Sequence, residues 1–103
     1  MSSLSILNDK ARQNLNNYSL TQAVQGLNEE SLQQLLEQVK SFNEFNDDND
    51  PWDEHDYGRI EFEGNTYLWK IDYYNKNLTG HSPNSADDSV TRRIICVMRS
   101  DEY

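Results

Sequence analysis

Nine carboxylates crowd into residues 44 to 63 of this 103-residue chain: Glu44, Asp47, Asp48, Asp50, Asp53, Glu54, Asp56, Glu61 and Glu63, opposed by Arg59 alone. His55, Trp52 and Tyr57 lie among them. Such residues serve three kinds of chemistry: chelation of a divalent ion, acid–base catalysis, and presentation of negative charge to a cationic partner.

Chelation fits the spacing poorly. An EF-hand loop needs acids at positions 1, 3 and 5, Gly at 6 and Glu at 12. Starting at Asp48 gives Asp50, Trp52, Asp53 and Arg59, a failure at three places. Zinc favours His and Cys, and His55, His81 and Cys96 are far apart in the chain. No metal and no other cofactor is expected.

Catalysis is no better supported. A carboxylate pair works as acid and base only where a pocket drives the two pKa values apart, and carboxylates in a polar loop stay solvated. His55 reads as a side chain that hydrogen-bonds the loop rather than as a general acid or base. Cys96, set between Ile95 and Val97, reads as a buried and unactivated strand thiol. Only four Gly are present and none forms a nucleotide-binding motif. No catalytic residue is expected, and the chain does not read as an enzyme.

Charge presentation remains. Residues 1 to 43 hold four acids and three bases, and residues 64 to 103 hold five of each, so the net charge of -9 arises almost wholly between them. A solvated tail does not normally carry Pro51 and Trp52 in its middle, which implies an anchored loop. The plain reading packs Trp52 and Tyr57 onto a sheet; the sharper one makes Trp52 an exposed anchor flanked by acids. The same charge disfavours direct binding of nucleic acid or of anionic membrane.

The elements that must position this segment follow from periodicity. Residues 6 to 16 predict a helix with Ile6, Leu7, Ala11 and Leu15 as its apolar side, preceded by a frayed end over 1 to 5. Residues 17 to 27 predict a connector, with an extended piece near Leu20 to Val24 that Gly26 ends. Asn28 as N-cap, Glu29 and Glu30 in the first turn, and a stripe of Leu32, Leu35, Leu36, Val39 and Phe42 predict a second helix. After an acidic loop over 43–57, Arg59 to Glu63 and Thr66 to Tyr74 predict a hairpin turning on Gly64-Asn65. Counting outward places Phe62 opposite Tyr67 and Ile60 opposite Trp69, with Glu61, Glu63, Leu68 and Lys70 on the other face. A long loop over 75–91 and a third strand over Arg92 to Arg99 complete one α+β domain: two N-terminal helices packed on a three-stranded antiparallel sheet.

One core is expected at this length. Hydrophobic residues make up 35%, and six Tyr, three Phe and two Trp supply much of the apolar area. With a single cysteine there is no intrachain disulfide. Met1 to Leu7 lacks the basic start and apolar run of a signal peptide, and no window is long enough to span a membrane. A reducing, cytoplasmic location is expected. Apolar residues on both faces of the last strand allow a homodimer.

The stretches Asn49-Asp50-Pro51-Trp52-Asp53-Glu54-His55-Asp56-Tyr57-Gly58 and Trp69-Lys70-Ile71-Asp72-Tyr73-Tyr74 resemble a family of small acidic bacterial, plasmid and phage proteins of unknown function. Ser82-Pro83, Ala86-Asp87, Thr91-Arg92-Arg93-Ile94-Ile95, Met98 and Glu102-Tyr103 extend the resemblance. Asn75 departs from the acid that usually follows the Tyr-Tyr pair. The resemblance implies no catalytic residue and no cofactor; it implies a setting among accessory genes of mobile elements, where host defences are countered.

Together these features lead to an expectation: an acidic protein that inhibits a nucleic-acid-binding defence complex, such as a CRISPR effector or a restriction enzyme, by mimicking phosphate charge. Two strand residues such as Glu61 and Glu63 on one outward face would stand about 6.6 Å apart, close to a phosphate spacing. The expected partner-binding set is Glu44, Asp47, Asp48, Asp50, Trp52, Asp53, Glu54, Asp56, Glu61 and Glu63. The alternative is an adaptor or immunity-like protein whose affinity comes from Trp52, Tyr73 and Tyr74. Acidity that serves only solubility stands against both.

Overall fold

The computed structural model describes residues 3–15 and 17–103. Helix α1 (Ser3–Asn14) leads into β1 (Tyr18–Leu20), α2 (Gln22–Gln25) and α3 (Glu29–Ser41). An irregular acidic segment then reaches β2 (Tyr57–Phe62), β3 (Asn65–Tyr74) and β4 (Arg92–Arg99), and a 3-10 turn spans Ser100–Glu102. The sheet is mixed, in the order β1-β4-β3-β2. The fold is therefore α+β with three helices and four strands, one helix and one strand more than the sequence predicts.

The extra elements occupy the supposed connector. Three residues of β1 pair in parallel with β4, Ser19 opposite Cys96, and Thr21 N donates to Val97 O at 3.2 Å. Glu102 fixes the turn that follows, accepting from Thr21 Oγ1 at 2.5 Å and from Ala23 N at 2.9 Å. So short a strand has no signature of its own; it exists because β4 has an open edge.

Alternation dictates the main sheet. Ile60 and Phe62 from β2, Tyr67, Trp69 and Ile71 from β3, and Ile95 and Val97 from β4 point to one face, where Val24, Leu35, Val39 and Phe42 cover them. Helix α3 forms as expected: Asn28 caps it, its side chain accepting from Ser31 N at 2.8 Å. The opposite face carries Leu68, Lys70, Asp72, Ile94, Cys96 and Met98, of which Leu68 and Met98 are buried. Cys96 lies there, half-buried rather than buried as expected, with its sulfur 3.0 Å from Ser19 Oγ.

The hairpin turns one residue earlier than predicted. Glu63 and Gly64 take positive φ, 49° and 80°, and close a turn between Phe62 and Asn65. Ile60 therefore lies opposite Tyr67, and Phe62 opposite Asn65. Glu63 tolerates the left-handed conformation because its carboxylate, swung away from the strand, accepts from Ser31 Oγ of α3 at 2.5 Å.

Helix α1 departs most from its predicted role. It starts at Ser3, so Ser3 to Ser5 are helical rather than frayed; Met1 and Ser2 lie outside the described residues. Its buried residues are Ser5, Asn8 and Arg12, while Ile6 is 55% exposed. Only Ala11 and Leu15 of the predicted stripe reach the core. A polar helix face inside a domain requires buried partners, and those partners define the site.

Gly58 is required by close approach. A Cβ there would lie 2.6 Å from Trp69 Cε2 and 2.9 Å from Phe42 Cε1. The fully buried indole of Trp69 thus rests directly on the β2 backbone.

Candidate functional site

Asn and Asp are frequent in residues 42–56 because their side chains bond to nearby backbone and replace a regular ladder. Asn46 Oδ1 accepts from Asp48 N at 2.9 Å and Asn49 N at 3.1 Å. Asn49 returns the contact, accepting from Asn46 N at 2.9 Å and donating to Glu44 O at 2.7 Å. Asp50 Oδ1 accepts from Glu54 N at 2.9 Å and His55 N at 3.2 Å.

Helix α1 pins the loop to the domain. Asp9 places its carboxylate 2.9 and 3.0 Å from His55 Nδ1 and accepts from Arg12 Nη1 at 3.0 Å. Arg12 also donates to Phe42 O at 2.8 Å, from a buried position. Its guanidinium stacks 5.0 Å from the ring of Trp69 and 5.4 Å from that of Phe45, a cation–π arrangement that offsets the lack of a hydrogen-bond partner at Nε. Phe45 lies flat against the His55 ring, centroids 3.8 Å apart and planes within 3°.

One turn earlier, Asn8 continues the network. Its Nδ2 donates to Glu54 O and to Tyr73 Oη, each at 2.9 Å, and its Oδ1 accepts from Arg93 Nη1 at 2.9 Å. Arg93 is buried, paired with Asp88 at 2.8 Å, and donates to Ser85 O. Both long loops are thereby tied to α1. Burial pushes the Tyr73 hydroxyl up to about 12, reinforced by the charges of Asp56 and Glu54 and opposed by the Asn8 hydrogen bond and Arg93. The Glu54 carboxyl is raised by burial first, then by the charge and hydrogen bond of Asp56 and by Asp50.

The predicted site residues fall into separate groups. Glu44, Asp47, Asp48, Trp52 and Asp53 are exposed in the loop, Trp52 at 79%. Trp52 does not pack on the sheet, whereas Tyr57 is half-buried at the start of β2. Asp50 is turned inward, its side chain 5% exposed, and Glu54 and Asp56 are half-buried. Glu61 is exposed on the sheet face that carries Leu68 and Met98, held by Arg59 at 3.1 Å and Thr66 at 2.8 Å. Glu63 points instead to α3. The expected outward pair of Glu61 and Glu63 is therefore absent, because the turn places Glu63 outside the strand.

Sequence reasoning missed Asn8, Asp9, Arg12 and Arg93. For Asn8 and Arg12 the signal was the polar spacing 5, 8, 12 along α1, which an apolar stripe through Leu7 and Ala11 overshadowed. Among the described residues no helix is long and apolar enough to cross a membrane.

No curated protein and no solved structure matches the chain. A family model does, over residues 20–102, a range that takes in α3, the acidic loop and the whole β2 to β4 sheet but begins after Asp9 and Arg12. On that match the chain belongs to the family described as Protein of unknown function (DUF3768).

Proposed function

We propose that the chain is a binding protein that docks its acidic loop on a Lys- and Arg-rich protein surface, with Trp52 as the anchor. The observation that carries this reading is Trp52 at 79% exposure on a loop held by Asp9, His55 and Asn8. A large aromatic kept in water on a fixed backbone loses little freedom on binding, and buried Trp side chains dominate many interfaces. Glu44, Asp47, Asp48 and Asp53 beside it would steer a cationic partner and set its orientation.

Surfaces with concentrated Lys and Arg belong above all to proteins that grip nucleic acid. Inhibition of such a complex, of the CRISPR-effector or restriction type, is the activity this reading assigns. The charge would act as a patch around an aromatic anchor rather than as a ladder of phosphate-spaced carboxylates, since Glu61 and Glu63 face different ways. An adaptor or immunity-like role is the second reading; the exposure of Trp52 favours it if the target lacks a basic groove.

The test compares capture of lysate proteins by the wild-type chain, Trp52→Ala and the pair Asp47→Asn with Asp48→Asn, followed by affinities for the purified target. The docking reading expects Trp52→Ala to cost about 2 kcal/mol or more, and the charge pair to weaken binding most at low salt. Indifference to both changes overturns it. Loss through Trp52 alone, with no salt dependence, selects the adaptor reading.

A further inference from the structure

His55 is flanked by carboxylates on both edges of its ring. On one edge Nδ1 lies 2.9 Å from Asp9 Oδ1. An ionised carboxylate only accepts, so Nδ1 carries the hydrogen. The other nitrogen, Nε2, faces Asp53 Oδ1 at 3.3 Å and Asp50 Oδ2 at 3.5 Å. Asp50 Oδ1 already takes two backbone N–H groups, whereas Oδ2, on a side chain only 5% exposed, faces Nε2. The Nε2 lone pair and these two carboxylate oxygens together form a donor set that one cation can bridge.

Tetrahedral bonds of about 2.0–2.1 Å put neighbouring ligand atoms about 3.4 Å apart, close to the 3.3 and 3.5 Å that separate Nε2 from the two carboxylate oxygens. One ligand atom from each of Asp50, Asp53 and His55 falls within 4.8 Å of the others. The three line a shallow cavity of about 220 Å³ that also reaches Asp47 and Pro51, with room for water.

We propose that His55, Asp50 and Asp53 bind one zinc-type divalent transition-metal ion, with water completing the coordination. An imidazole nitrogen beside two carboxylates suits zinc and its neighbours better than Ca²⁺ or Mg²⁺, which take oxygen ligands. Asp9 is the positioning residue: it fixes the ring's tautomer and orientation, as a carboxylate behind a metal-bound imidazole does. Arg12 holds Asp9, and Phe45 holds the ring plane. The ion takes the Nε2 lone pair and displaces any proton there into solvent, so acid releases it. Counting only His and Cys hides this site, because two of its ligands are Asp.

This inference goes beyond the docking reading and does not depend on it, since its test needs no partner. Zn²⁺ alone is titrated into the full-length chain freed of metal by chelator, following heat release, thermal unfolding and the ¹⁵N resonances of both histidines. Asp53→Asn keeps a residue that tolerates the positive φ of that position, and His81→Gln controls for the exposed second histidine. The expected result is one equivalent of Zn²⁺, a rise in Tm, movement of the His55 Nε2 resonance, at least about tenfold weaker binding in Asp53→Asn and no change in His81→Gln. Absence of saturable binding, equal affinity in Asp53→Asn, loss in His81→Gln or a preference for Ca²⁺ overturns the proposal.

Discussion

Asp9 and His55 meet at 2.9 Å although 46 residues separate them in the chain. Their contact joins the first helix to the acidic loop, and the same Asp9 carboxylate neutralises the buried Arg12. One side chain thus serves loop and core together, so the loop cannot loosen without disturbing charges packed against Trp69 and Phe45.

Removing that carboxylate leaves a buried guanidinium with Phe42 O as its remaining partner. Breaking a buried pair by deleting one member costs on the order of 3 kcal/mol. Asp9→Ala is therefore expected to destabilise by about that amount in urea unfolding; a loss under about 0.5 kcal/mol, typical of a surface change, would show that Arg12 does not need it.

Helix α1 makes a second claim, because it buries Asn8 and exposes Ile6. Asn8→Ala strands Arg93 Nη1 and Glu54 O without their partner and is expected to cost about 1–3 kcal/mol. Ile6→Ala should stay within about 0.5 kcal/mol. The reverse order in denaturant midpoints would restore the apolar stripe as the buried side.

Gly58→Ala tests the seat of Trp69. The new methyl must displace Trp69 Cε2 and Phe42 Cε1, which it would approach to 2.6 and 2.9 Å, and overpacking of this kind costs about 1–3 kcal/mol. Near-ultraviolet circular dichroism should lose part of its tryptophan signal. An unchanged spectrum and Tm would contradict the packing described.

Tyr73 gives stability a dependence on alkaline pH. Its folded pKa, pushed up to about 12 from 10.0, means that the fold disfavours the phenolate. The stability this contributes is complete below the unfolded value and is lost as pH climbs through the folded one. Stability is expected to fall between about pH 10 and 12, with Tyr73 ionising late in an ultraviolet phenolate titration; Tyr73→Phe should remove that part of the loss. Glu54 follows the same sign at lower pH, since its raised pKa makes the ionised form a liability, so Glu54→Gln should not weaken the fold at neutral pH.

Local signals made α3, β2, β3 and β4 legible, because Asn28, the alternation through Ile60 and Trp69, and the run from Ile94 to Met98 act within a few residues of themselves. Whatever depends on distant partners was not. β1 exists only against β4. Glu63 takes a left-handed turn position, and its carboxylate accepts from Ser31 Oγ, 32 residues away in the chain. Asn8, Asp9 and Arg12 look like ordinary helix polarity until Glu54, His55 and Phe42 are brought to them. The position of the acidic loop was legible, but not its inward turn at Asp50, since a chain of carboxylates carries no mark of which one will bond to backbone.

Docking through Trp52 and its neighbouring carboxylates requires that the loop carry them on a rigid backbone. Backbone ¹⁵N order parameters over residues 46–56 measure this directly. Values near those of α3, about 0.85, are what the anchoring through Asp9, Asn8 and Asp50 predicts; values below about 0.6 across Asp47 to Asp53 would contradict it.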